Sequence, residues 1–428
     1  MHILVLPVSG GGFVSQLAII QHLCEVKFIP DLTLASSGGN VAAYVAAAAN
    51  WKWPAIERIA RELSQDLFAR PWNSVVSISM IIGYFKGDVY NHGSGVRDFL
   101  ARHFSNPATR SNSATRSNSA TRSNSVPSTA ESLIPVPSTA ESLILVPSTA
   151  ESLIPVPSAA ESLILDERAK PGNSNSTITK YEIWTGTYNK NRQRARLFCN
   201  RSKETSIVDV SCIDHDLTQS MEPVFANGDL ELIAQASIAS ASIPAIVPPQ
   251  KIMGEDYRDG GVAGASPLTI MQEPILKRTK EGGDPLHIIY VNSIDLSRPD
   301  TKPSHNVLDT WRQATHDLVR SQTVIDRLSG YELLRCHPGT MHKEEFVCNY
   351  ENLERVKLIQ ARVKYSMLEV YPDGRYDIEI VSFNGNDVIS AIHTAYQNCR
   401  CRLWWIVPNN SICDPDICVL LDACKNCP

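Results

Sequence analysis

Residues 31–50, DLTLASSGGNVAAYVAAAAN, restrict what this 428-residue chain can fold into more than any other stretch. Leu32, Thr33 and Leu34 read as a short buried strand. Ala35, Ser36, Ser37, Gly38 and Gly39 are among the smallest side chains available, and an Ala-rich helix starts near Asn40. A serine pinched between strand and helix by tiny neighbours has the form of a nucleophile elbow. That turn is so sharp that the residues two before and two after the serine nearly touch, hence the pattern G-x-S-x-G. Sterics chooses between the two serines: around Ser37 the flanks are Ala35 and Gly39, whereas around Ser36 one flank is Leu34, which clashes. Ser37 is the expected nucleophile. The helix behind it aims free N–H groups and its positive dipole end at a developing oxyanion, with the Gly38 N–H as one donor. The competing reading is that small residues merely let helix pack closely on sheet, and so short a motif does not decide alone.

Around the elbow the chain alternates strand and helix. Residues 2–8 form a continuous apolar run that predicts a buried strand, followed by the glycine loop Gly10, Gly11, Gly12 and a helix with apolar positions at Phe13, Leu17, Ile20 and Cys24. Strand, loop, helix, strand, elbow, helix predicts an α/β fold of three layers, α/β/α, with a mainly parallel central sheet. Beyond the elbow helix, residues 51–70 predict an amphipathic helix with Pro54 in its first turn; Trp51 and Trp53 beside it suit packing better than a lipid interface.

The composition breaks at residue 108. ATRSNS repeats three times to residue 125, and a ten-residue unit of the form VPSTAESLIP repeats four times to residue 165. Such units are too short and too poor in apolar side chains to build a packed core, so 106–172 reads as a disordered surface insertion. Further on, 180–189 and 194–200 predict strands, 206–217 a third, 229–242 a helix, 285–294 a strand and 307–328 a long helix. Residues 345–381 suggest a helix and two short strands, and 386–399 a final helix. The expected parts are 1–105 and 173–295, forming one split domain, a helical extension over 296–398 and a Cys-rich tail over 399–428.

A net charge of -5 gives no global attraction to nucleic acid, so none is expected as a partner. No apolar run reaches the roughly 20 residues of a membrane-spanning helix, and no secretory leader is visible, so an intracellular protein is expected. Six of the 11 cysteines fall within 399–428. Cys424 and Cys427 make a C-x2-C pair and Cys399 and Cys401 a C-x-C pair, but the spacing fits no zinc ribbon or finger. No metal and no cofactor are expected.

A serine nucleophile needs a base. His215, between Asp214 and Asp216, and His287, before a strand, stand in contexts that suit a loop end and a strand start. Asp259 offers another route: Gly260 and Gly261 behind it let the backbone turn sharply and leave its carboxylate uncovered. An ionised carboxylate within reach of a hydroxyl can take its proton directly. By itself the D-G pair also suits a plain turn between strands.

The chain resembles the patatin-like phospholipases. The resemblance rests on the glycine loop (Gly10, Gly11, Gly12), the elbow (Ala35, Ser36, Ser37, Gly38, Gly39), an AS.AIP..PP-like stretch (Ala239, Ser240, Ile243, Pro244, Pro248, Pro249) and the D-G-G motif (Asp259, Gly260, Gly261) followed by Pro267. Residues 83–100 also resemble the family's turn into a helix. These segments occur in family order and cover about residues 1–294 apart from the insertion. The resemblance implies a Ser-Asp dyad without histidine, with Ser37 as nucleophile and Asp259 as proton acceptor. It implies an acyl-enzyme, oxyanion donors from Gly10, Gly11 and Gly12, no metal, and acyl lipid substrates, most often phospholipids, met at a membrane surface. Two departures stand out. The basic residue and glycine that usually follow the loop are Val14 and Ser15 here, and the leading elbow glycine is Ala35. The alternatives are an acyltransferase or neutral-lipid hydrolase on the same fold, and a catalytically silent scaffold that binds partners or lipid through the repeats or the Cys-rich tail.

Overall fold

The computed structural model describes residues 1–64, 67, 69–71, 90–92, 95–104, 177–244, 247–263, 266–294, 307–374, 376–378 and 383–408. The repeat insertion, most of residues 83–94 and the cysteines beyond 408 lie outside them.

Apolar runs buried on both faces build the centre of the sheet. Strands β1 (His2–Leu6), β2 (Leu32–Ser36), β5 (Glu182–Asn189), β10 (Leu286–Val291) and β12 (Tyr365–Pro372) pair in parallel in the order β12-β10-β1-β2-β5. Side chains alternate between faces, so Leu4 and Leu6 point into one apolar layer and Ile3 and Val5 into the other. The first layer is covered by α1 (Phe13–Glu25), α2 (Gly38–Ala48), α3 (Trp53–Ala60), α4 (Val96–Phe104), α9 (Tyr350–Gln360) and α10 (Gly385–Tyr396); the second by α6 (Pro267–Ile270), α7 (Gln272–Glu281) and the end of α8 (Val307–Arg335). This is a three-layer α/β/α fold with a mainly parallel sheet. A further helix, α5 (Leu230–Ser240), is started by Asp229, whose carboxylate accepts from the Glu231 and Leu232 amides.

Antiparallel strands flank the parallel core: β6 (Arg194–Cys199) and β9 (Glu255–Asp259) on β5, and β13 (Cys399–Val407) with β11 (Thr340–Val347) beyond β12. Three segments differ from the sequence expectation. The region expected as a helical extension supplies β11 and β12 to the main sheet, and the first residues of the expected Cys-rich tail form β13. The reason lies in CRCRLWWIV itself, where Cys399, Cys401 and Leu403 are buried between less buried arginines, the alternation of a half-buried strand. Residues 206–217 form no strand. The Asp209 carboxylate accepts from the Ser211 amide and hydroxyl, which winds Val210–Cys212 into a 3-10 turn while Val208, Val210 and Ile213 still reach the core. Trp51 is packed edge-on against Tyr181 in the core, not at a surface.

Candidate active site

Sheet register brings the elbow and the D-G-G motif together. Ser36, the last residue of β2, pairs with Gly186 on β5; Asp259, the last residue of β9, pairs with Thr187, the next residue of that same strand. Ser37 leaves β2 at φ 53° and ψ -129°, a conformation that non-glycine residues rarely occupy and that stores backbone strain at the apex. Its side chain does not cap α2, so the first N–H groups of that helix keep no side-chain partner of the usual kind.

The turn closes with no spare room. A Cβ on Gly39 would lie 2.2 Å from the Leu6 carbonyl oxygen, and one on Gly38 2.3 Å from the Gly10 carbonyl oxygen. The glycine loop therefore rests on the start of the elbow helix. The loop is pinned from below by buried Gln16, whose Nε2 donates to the Pro7 carbonyl at 3.0 Å and whose Oε1 accepts from the Ser9 hydroxyl at 3.0 Å. On the other side a Cβ on Gly261 would collide with Val8, and one on Gly260 would come within 2.8 Å of the Gly186 backbone. Ala35 is wholly buried and takes the place of the usual glycine, its methyl lying in the core.

Ser37 and Asp259 are 2% and 1% exposed. Burial raises the Asp259 carboxyl to about 7, opposed by hydrogen bonds from the Ser37 hydroxyl and the Gly261 amide, the latter at 2.9 Å. The pair is thus a hydroxyl in contact with a carboxyl that burial holds well above the usual carboxylate range. Ser36 is buried with its Oγ unpartnered. The histidines weighed from sequence are occupied elsewhere: His215 with the Ser220 hydroxyl at 3.0 Å, and His287 with the Ser366 hydroxyl at 2.9 Å.

Of the expected oxyanion donors, Gly12 is corrected. Its amide donates to the Ser9 carbonyl at 2.8 Å, closing a 3-10 turn, and its Cα packs on Ser293. The amides of Gly10, Gly11 and Gly38 make no hydrogen bond with a described residue, and Gly10 has φ 51° with open space around it. Val14 is wholly buried and the Ser15 hydroxyl donates to the Tyr376 carbonyl at 3.0 Å, so neither position faces the site.

Two residues acquire roles that sequence reading did not give them. The Ser240 hydroxyl accepts from the Ser37 amide at 2.9 Å and donates to the Gly186 carbonyl at 2.8 Å, while the Ser242 carbonyl accepts from the Asp259 amide at 3.2 Å. The end of α5 therefore holds both halves of the pair. Gly186 carried a usable signal, since an isolated glycine inside a strand marks close backbone approach. Among the described residues, no group of three or more His, Cys, Asp or Glu side chains could hold a metal ion.

An elbow serine, an uncapped helix end and a glycine loop around one buried carboxyl define an acyl-transfer type of site. The family model for patatin-like phospholipases matches residues 6–271. That is more than half of the chain, and the chain belongs to this family. No curated protein matches it. Lipid substrates and acyl-hydrolase chemistry come with the family.

Proposed function

We propose that the protein hydrolyses lipid carboxylic esters through an acyl-enzyme, with Ser37 as nucleophile and Asp259 as proton acceptor. One observation carries the reading: the hydroxyl at the strained apex is hydrogen-bonded to a carboxyl whose pKa burial holds near neutrality. A base works best when its pKa lies near the working pH.

In the first half-reaction ionised Asp259 takes the hydroxyl proton as Ser37 Oγ bonds to the acyl carbon, and the carbonyl electrons move onto its oxygen. The amides of Gly10, Gly11 and Gly38 stabilise that oxyanion. Collapse expels the alcohol, which leaves with the proton held by Asp259. Water then attacks the acyl-enzyme, Asp259 takes its proton, and Ser37 recovers a proton as the fatty acid departs. The substrate is an acyl lipid, in first place a glycerophospholipid or lysophospholipid, reached from the aqueous side of an intracellular membrane.

The test is fatty-acid release from phosphatidylcholine vesicles and from a p-nitrophenyl ester by wild type, Ser37→Ala and Asp259→Asn. Both variants are expected to lose the activity. Equal rates in all three would remove the reading, and a fluorophosphonate probe attached to Ser36 would move the nucleophile by one residue.

A further inference from the structure

The opposite ends of the same strands carry a second concave site. A cavity of about 550 Å³ opens beside the amino-terminal residues of β1 and β10 and the α9–β12 turn. Its lining includes four cationic side chains, Lys27, Lys357, Arg362 and Lys364, and no carboxylate. Lys27 and Lys364 are exposed and pair with no acid among the described residues. Lys357 donates to the Val26 carbonyl at 2.7 Å and is ion-paired with Glu354 at 3.4 Å. Asp31 beside His2 accepts from the His2 backbone amide at 2.7 Å.

The floor is built from buried polar groups. Gln360 Nε2 donates to Ser366 Oγ at 3.2 Å, and that hydroxyl meets His287 Nδ1 at 2.9 Å. The Ser366 hydroxyl, while accepting from Gln360, can give its own proton to Nδ1; in that tautomer, the one the binding proposed below uses, Nε2–H is the donor of His287. His287 is 5% exposed and lines the cavity. His2 stands beside it with ring centroids 4.9 Å apart and a buried Nδ1 that has no hydrogen-bond partner among the described residues. Phe28, Ile29 and Val363 add an apolar wall, and Ile29 is 52% exposed.

We propose that this cavity binds a phosphate monoester, its dianion on the imidazole floor and within reach of Lys27, Lys357 and Lys364, its organic body on the apolar wall. Several separate cations around neutral N–H donors suit a multi-oxygen dianion better than a single carboxylate. The volume suits a small organic molecule. A soluble monoester fits better than a membrane headgroup, because a bilayer docked on this edge would lie at the end of the sheet away from the elbow.

The test is a ³¹P NMR titration with phenyl phosphate, with phenol as the uncharged control, on wild type and on Lys27→Glu/Lys364→Glu. Both substituted side chains are exposed, so the variant keeps the fold, and its ester hydrolysis serves as the check. Wild type is expected to bind phenyl phosphate saturably, and the variant about tenfold or more weaker. Absence of saturable binding, or equal affinity in the variant, would overturn the proposal. So would charge-sensitive capture of vesicles of phosphatidylcholine with phosphatidic acid in the absence of phenyl phosphate binding, which would assign the cavity to a lipid headgroup. Binding is read without hydrolysis, so the result stands apart from the role of Ser37.

Discussion

The two ends of one set of strands follow opposite designs. At the carboxyl end Ser37 and Asp259 are buried, and Gly38, Gly39 and Gly260 pack against backbone and Gly261 against the Val8 side chain, with no clearance for a methyl group at any of the four glycines. At the amino end, long flexible cations ring an open cavity and only His287, Gln360 and Ser366 form a buried floor. The difference teaches what each job demands. Bond making needs backbone donors and one proton acceptor fixed to within fractions of an ångström, which only close packing supplies. Holding an anion tolerates mobile side chains, because Coulomb attraction falls off slowly with distance.

If that contrast is right, substitutions at the carboxyl end should act on rate and those at the amino end on binding alone. The largest effect is expected for Ser37→Ala, with hydrolysis down by about 10⁴-fold or more, while Ser36→Ala stays close to wild type. Steady-state kinetics on a p-nitrophenyl ester measures both. Equal losses at the two serines would blur the elbow.

Next in size is Asp259→Asn, expected to cost about 10³-fold. In wild type the rate should rise with pH through about 7 as the carboxyl ionises, and a flat profile across neutrality would remove Asp259 as base. Stability should run the other way. The folded pKa of about 7 exceeds the 3.8 of a free side chain, so the carboxyl favours the native state fully below 3.8 and that contribution is lost as pH rises through about 7. Asparagine has no such proton to lose. Thermal melts above neutral pH should therefore show the inactive variant gaining on wild type.

Smaller again is Ser240→Ala, which leaves the Ser37 amide and the Gly186 carbonyl buried without their shared partner. A stability loss of about 1–3 kcal/mol is expected by denaturant titration, with about a tenfold fall in kcat. A full loss of stability with unchanged kcat would make this hydroxyl purely structural. The smallest effect on hydrolysis belongs to Lys27→Glu/Lys364→Glu, where the ester rate should be unchanged. A fall in rate there would show that the two ends communicate.

Local chemistry was the most legible part of the sequence. The elbow, the glycine loop and the D-G-G turn are each written in adjacent small residues, and the burial of 2–8 and 285–294 in their unbroken apolar runs. What escaped depends on partners far along the chain. Ser240 belongs to the AS.AIP..PP-like stretch, but what its hydroxyl does shows only once α5 is seen to end against β2 and β5. Gly12 looks equivalent to Gly10 and Gly11 until its amide is seen turned back on Ser9. In residues 399–407 the cysteines draw the eye, while the alternation with Arg400 and Arg402 is the stronger signal. Conversely, 206–217 alternates like a strand, and a single Asp209 side chain overrides that pattern.

The link from the Ser37 amide to the Ser240 hydroxyl spans 203 positions of sequence. During synthesis Ser37 thus emerges long before Ser240 and Asp259. On the mechanism proposed above, a nascent chain that has reached only β5 carries the Ser37 hydroxyl without its proton acceptor, and hydrolysis would wait until translation has passed Asp259. On that mechanism the order of the segments alone would keep the chain latent while it is being made.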